Sequence, residues 1–157
     1  MVKNKNIKWL KITILCTIIC CMLICCTILV NAYSVNTSPT TYMTANGYLY
    51  DGFTNLTTGA TGSNKFAIPS ATLHASQSVP DMSVRAILYN SSGSMLATGP
   101  TTHADNGQLT IESHFYYNVI GTPSVFARGI CYLYNGNDYT VRYTQRTADL
   151  NDYTPIQ

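Results

Sequence analysis

The chain has 157 residues, enough for one domain with its own core, and carries 9 Lys and Arg against 7 Asp and Glu. Lys3, Lys5, Lys8 and Lys11 all precede residue 12, so only Lys65, Arg85, Arg128, Arg142 and Arg146 balance the acids, and the remainder of the chain stands at about −2. Without a basic stripe, that remainder lacks the footprint nucleic acid requires, and this partner class is set aside.

After the lysines, residues 12 to 30 are all apolar, Cys or Thr. A basic start followed by such a run is the pattern of an export leader. The run is longer than the usual hydrophobic region of about 7 to 15 residues and reaches the roughly 18 at which a spanning helix is expected. Two readings of residues 1–32 follow: a signal peptide, or an N-terminal transmembrane anchor. Val30-Asn31-Ala32 places small residues where a signal peptidase reads and favours cleavage before Tyr33. Either way the lysines stay on the cytoplasmic side and residues 33 to 157 face outward, so the chain is secreted or held on the extracellular face of the plasma membrane. The membrane is then a partner only through the N-terminal segment. Cys16, Cys20, Cys21, Cys25 and Cys26 all lie in the leader, which leaves Cys131 alone outside it and no internal disulfide framework.

Residues 33–41, rich in Ser, Thr, Asn and Pro, read as a spacer, and residues 42–157 as the folded domain. Beyond Tyr42 apolar residues recur with period two, interrupted by Gly, Asn, Ser and Pro, which predicts strands. Weak strands are expected over Met43 to Tyr50, Lys65 to Ile68 and Ala71 to Gln77. Ser83 to Tyr89 and Ser94 to Thr98 flank Asn90-Ser91-Ser92-Gly93 and predict a hairpin. Gln108 to Asn118 predicts one long strand with Leu109, Ile111, Ser113, Phe115 and Tyr117 turned to the core. Ser124 to Tyr134 predicts another, with Val125, Ala127, Gly129, Cys131 and Leu133 inward and Phe126, Arg128, Ile130, Tyr132 and Tyr134 outward. Asn135-Gly136-Asn137-Asp138 then turns the chain into a final strand from Tyr139 to Thr147. About seven short strands at such spacing predict an all-β fold, a single antiparallel β-sandwich, with a small β-barrel as the alternative.

The run Ala71 to Leu88, with Val79-Pro80 and Val84-Arg85-Ala86-Ile87-Leu88-Tyr89, followed by Tyr134-Asn135-Gly136-Asn137-Asp138-Tyr139, resembles small exported β-rich proteins of Gram-positive bacteria. The likeness spans roughly residues 71 to 150 and implies no activity and no catalytic residues. In general character the chain is also similar to small exported all-β bacteriocins of the lactococcin kind.

Candidate chemistry is sparse. His103-Ala104-Asp105, with Glu112 and His114 two residues apart on one strand face, is the nearest approach to a metal cluster, but His74, His103, His114, Asp105 and Glu112 show no ligand spacing and no metal site or cofactor is assigned. A nucleophile at Cys131 would need a neighbouring base, whereas its strand phase turns it inward. No Gly-x-Ser-x-Gly elbow or phosphate-binding loop is present. The aromatic residues say more, because Tyr116, Phe126, Tyr132 and Tyr134 fall opposite the core, and tyrosine suits adhesive and glycan-facing surfaces. The expected role is an exported, non-enzymatic binding module for an envelope glycan or protein, with a secreted bacteriocin-like antagonist and an extracellular hydrolase as alternatives. Expression of the full chain in a Gram-positive host, followed by fractionation and intact mass spectrometry, is expected to yield a product beginning at Tyr33; a membrane-bound chain of full mass would establish the anchor instead.

Overall fold

The computed structural model describes residues 33 to 157 except 105, 106, 122, 154 and 157, and the backbone alone of Pro155 and Ile156. Both readings of residues 1–32 lie outside the described residues. Every described element is a strand. The first sheet is built on β3 (Tyr48–Thr61) and β4 (Asn64–Ala75), joined by a tight turn in which Gly62 takes a φ of 60°. On one side of β3 lie β1 (Tyr33–Thr37), β2 (Thr41–Ala45) and, in parallel, β12 (Pro155–Ile156); β4 is flanked by β8 (Thr110–His114) and β9 (Tyr117–Val119). The second sheet runs in the order β11 (Tyr139–Tyr143), β10 (Val125–Tyr134), β5 (Met82–Asn90), β6 (Met95–Thr98), with β7 (Thr102–His103) also on β5. Two open sheets face each other, so the fold is a β-sandwich and the barrel alternative is set aside.

Both predicted hairpins form. Between β5 and β6 the Asn90 carboxamide oxygen accepts from Ser94 N at 2.8 Å, and Gly93 takes a φ of 87°. Between β10 and β11, Tyr134 pairs with Tyr139, and Asn135 Oδ1 accepts from Asp138 N at 2.9 Å across the four-residue loop. The inward set of β10 is as the alternation requires, with Val125, Ala127, Gly129, Cys131 and Leu133 buried.

Four expectations are corrected. Residues 33–41 are not a spacer: residues 33 to 37 form β1, paired with β3 from Thr37↔Asn55 to Tyr33↔Gly59, and Ser38 is buried. Their polar side chains suit an edge that bonds through its backbone and through contacts to the C-terminal tail, where Ser34 Oγ donates to Asp152 Oδ2 at 2.7 Å and Ala148 N donates to Asn36 Oδ1 at 2.7 Å. Met43 to Tyr50 is not one strand, because Asn46 and Gly47 adopt φ of 49° and 78° and turn the chain between β2 and β3. The segments Lys65 to Ile68 and Ala71 to Gln77 are one strand, β4, running through Pro69.

Pro69 also explains the fourth correction, the division of the strand expected over Gln108 to Asn118 into β8 and β9. The Pro69 carbonyl accepts from Phe115 N at 3.4 Å, so its missing N–H would have pointed the same way, toward Phe115. The ladder lapses there and resumes without slipping register, from Ser70↔His114 to Ala67↔Tyr117. Ile111 and Ser113 are buried as expected, but Leu109 precedes the strand and is 41% exposed.

The core is divided into two clusters. One gathers Met43, Tyr50, Leu73, Met82, Val84, Ile111, Cys131 and Leu133; the other gathers Leu56, Ala67, Leu88, Val119, Val125, Ala127 and Tyr153. Between them the sheets are joined by buried threonines: the hydroxyls of Thr54 on β3 and Thr144 after β11 hydrogen-bond each other, and Thr144 Oγ1 also accepts from Gly129 N at 2.8 Å. The approach is so close that a Cβ on Gly129 would lie 2.8 Å from Ala71 Cβ and 3.1 Å from Thr144 Cγ2. Thr144→Val keeps the shape and leaves Gly129 N–H and the Thr54 hydroxyl buried without this partner, so urea unfolding should show a loss of about 2 to 4 kcal/mol. An unchanged midpoint would show that this junction does not hold the sheets together.

Candidate functional site

Strand alternation gives the second sheet an outer face built by Ser83, Arg85, Ile87 and Tyr89 of β5, Phe126, Arg128, Ile130, Tyr132 and Tyr134 of β10, and Tyr139, Val141 and Tyr143 of β11. The register aligns these residues across the strands: Tyr132 lies between Ser83 and Val141, and Ile130 between Arg85 and Tyr143. Aromatic rings and arginines are therefore interleaved on one surface.

The arginines are held in place. Arg85 Nε donates to Thr101 Oγ1 at 2.8 Å, and Nη2 donates to the same oxygen. Arg128 Nε donates to the Thr144 carbonyl at 2.9 Å while its guanidinium lies 5.0 Å from the centre of the Tyr143 ring. Arg146 lies 4.2 Å above Phe126, which itself stacks on Tyr89 at 5.1 Å, and Arg146 also pairs with Asp149 at 3.2 Å. Such cation–aromatic contacts orient the guanidinium without consuming its hydrogen-bond donors.

Across this face, from β7 to the start of β11, a pocket of about 310 Å³ is lined by Ser83, Arg85, Thr101, His103, Tyr132 and Tyr139. The Tyr139 hydroxyl donates to Asp81 Oδ2 at the rim; acceptance by that carboxylate, then partial desolvation and the negative charge nearby, hold the phenol above its ordinary pKa. Tyr139 therefore remains protonated, with its oxygen free to accept. The pocket offers a cation, an imidazole, hydroxyls and aromatic surface together.

The four aromatic candidates separate. Tyr132 lines the pocket. Tyr134 stands beside Tyr139, but its hydroxyl is engaged within the hairpin, donating to the Gly136 carbonyl at 2.7 Å. Phe126 is only 6% exposed, covered by Tyr89 and Arg146, so it supports the face rather than offering a free ring. Tyr116 lies on the other sheet, 54% exposed and stacked on Phe66 at 5.5 Å. Arg85, Thr101, Ser83 and Tyr139 escaped the sequence reading; the alternation of Ser83, Val84 and Arg85 signalled their outward phase, but only strand pairing brings them beside Tyr132.

Of the polar candidates, His103 reaches the pocket, and its proposed companion Asp105 lies outside the described residues. Glu112 and His114 face outward from β8 on the first sheet, and His74 Nδ1 pairs there with Asp51 Oδ1 at 2.7 Å. Among the described residues no three potential metal ligands converge. No protein-family model, curated protein or solved structure matches the chain.

Cys131 is fully buried in the first core cluster, and burial pushes its thiol up from an ordinary 9.0 to about 12. That environment suppresses the thiolate a nucleophile requires. Because the folded state keeps the proton to about pH 12 while the unfolded thiol releases it near 9.0, Cys131 adds stability below pH 9 that is lost as pH rises through that interval. Denaturant midpoints should fall across it, and Cys131→Ala should flatten the fall. Iodoacetamide labelling at pH 8 should be roughly a thousandfold slower in the folded than in the unfolded protein; rapid labelling of the folded chain would contradict the buried placement.

Proposed function

We propose that the domain is an exported, non-enzymatic binding module that holds an envelope glycan through the outer face of its second sheet. The observation that carries this reading is the pocket between β5, β7, β10 and β11, where Tyr132, Tyr139, Arg85 and His103 converge beside further aromatic side chains. Glycan sites need flat apolar rings against sugar faces and fixed polar groups for sugar hydroxyls, and both are present on rigid strands. A sheet face with side chains locked by neighbours loses little conformational freedom when a ligand settles on it. Among the described residues the pocket brings no two carboxylates together, and Ser83, though paired in register with His103, makes no hydrogen bond to it, so binding accounts for the pocket better than hydrolysis does.

The test is co-sedimentation of the full chain, in whatever form a Gram-positive host produces it, with purified cell-wall material. Tyr132→Ala should lower the retained fraction about tenfold, as expected for loss of a stacking ring and its hydrogen bond, whereas Tyr116→Ala on the opposite sheet should leave it unchanged. Retention indifferent to Tyr132, or lost equally in both variants, would overturn the assignment to this face.

A further inference from the structure

We infer that the pocket selects an anionic sugar, with Arg85 receiving the charged group of a carboxylated or phosphorylated envelope polysaccharide; this rests on the binding reading above and specifies its ligand. Arg85 is the pocket's fixed cation. Its Nε and one Nη2 hydrogen are both directed at Thr101 Oγ1, which fixes the plane of the guanidinium. Among the described residues no carboxylate pairs with it: the ion pairs are His74 with Asp51 and Arg146 with Asp149. Among the described residues Nη1 and the second Nη2 hydrogen therefore have no carboxylate partner, and they lie in the geometry that suits two oxygens of one carboxylate or phosphate.

The exported part of the chain is slightly acidic, yet Arg85 and Arg128 share this face and Arg146 borders it; Asp149 pairs with Arg146, whereas Asp81 and Asp138 stand beside Tyr139 rather than against a guanidinium. Asp51 and Glu112 instead lie on the outer face of the opposite sheet. Arg85 and Arg128, neither of them ion-paired among the described residues, thus share one face, which favours an anionic group there.

The remaining pocket groups choose a sugar over other anions. Ser83, Thr101 and Tyr139 present hydroxyl oxygens and Tyr132 an aromatic ring, a combination that matches a ring bearing several hydroxyls. At about 310 Å³ and open to solvent, the pocket is at the small end of ligand sites and holds one or two sugar residues while a polymer continues along the sheet. A neutral sugar can accept hydrogen bonds from Arg85 but brings no counter-charge to it, and hydrogen bonds to an anionic group are the stronger.

The experiment uses the full-chain product against four immobilised probes: polygalacturonate, glycerol-phosphate teichoic polymer, neutral galactan and poly-glutamate. Binding to one or both anionic sugar polymers, weakened by salt and at least about tenfold stronger than to galactan, is expected; which of the two is preferred identifies carboxylate or phosphate as the recognised group. Arg85→Gln should reduce that binding about tenfold or more, and Thr101→Val, which frees the guanidinium without removing its charge, should reduce it severalfold. Arg142→Gln removes the same charge from outside the pocket and should have little effect. Melting curves confirm that each variant is folded, and Thr101→Val keeps the test decisive should Arg85→Gln be unstable. Galactan bound as well as the anionic sugars, poly-glutamate bound as well as either, or Arg85→Gln and Thr101→Val both behaving as wild type would overturn the inference. Retention on whole walls would still stand in those cases, leaving the binding module intact with another ligand; loss of that retention would remove both.

Discussion

The junction of Thr54, Thr144 and Gly129 is the constraint on which the sandwich depends. Two sheets normally stand about 10 Å apart because side chains fill the space between them. Here the middle of the interface is occupied by Gly129, Ala71 and two threonines, and a single added carbon at Gly129 would meet Ala71 at 2.8 Å. Close approach shuts water out of a region that contains hydroxyls, so those hydroxyls must satisfy each other and the backbone, as Thr144 does with Thr54 and Gly129. The apolar residues are then pushed to either side, which is why the core appears as two clusters. Phe115, packed against both, is the side chain that connects them.

The same junction directs the tail. After Tyr143 the chain leaves regular pairing but stays along β10: Thr144 N donates to the Gly129 carbonyl at 3.0 Å, Thr147 N to the Ala127 carbonyl at 3.0 Å, and Val125 bridges to Leu150. Thr147 Oγ1 accepts from Ala127 N at 3.0 Å, replacing a ladder bond by a side chain. Farther on, Thr58 Oγ1 donates to the Asp152 carbonyl at 2.8 Å and β12 joins β3. One segment therefore binds the edges of both sheets and holds the N-terminal strand through Ser34 and Asn36. An edge closed in this way is less available for pairing with another chain.

A rigid interior gives the outer face of the second sheet its value. The arginines there are held by a backbone carbonyl, a threonine hydroxyl and aromatic rings, the anchors lying on strands, in the tail fastened to one, or, for Thr101, immediately before β7. Side chains in fixed positions recognise a ligand with little ordering cost. The two outer faces differ in charge: the first sheet presents Asp51, His74, Glu112 and His114 beside the Phe66–Tyr116 stack, the second aromatic rings with guanidinium groups.

By itself the sequence determined the all-β class, the two hairpins with Asn- and Gly-rich loops, and the inward phase of β10 and of Ile111 and Ser113, because alternation and turn chemistry are local properties of the chain. It hid β3, whose inward positions include Gly52, Thr54 and Thr58; small and polar residues face inward there only because the opposite sheet comes so near. It hid β1 for a related reason, since an edge strand held by backbone bonds and by a distant tail needs no apolar pattern. Of the candidate site, the outward phase of Tyr132 and Tyr134 was legible, but that Phe126 is covered by Tyr89 and Arg146, that Tyr116 lies on the opposite sheet, and that Arg85, Thr101 and His103 meet Tyr132 at one pocket follow from strand pairings far apart along the chain. Those pairings are contacts between segments, and only the tertiary structure decides them.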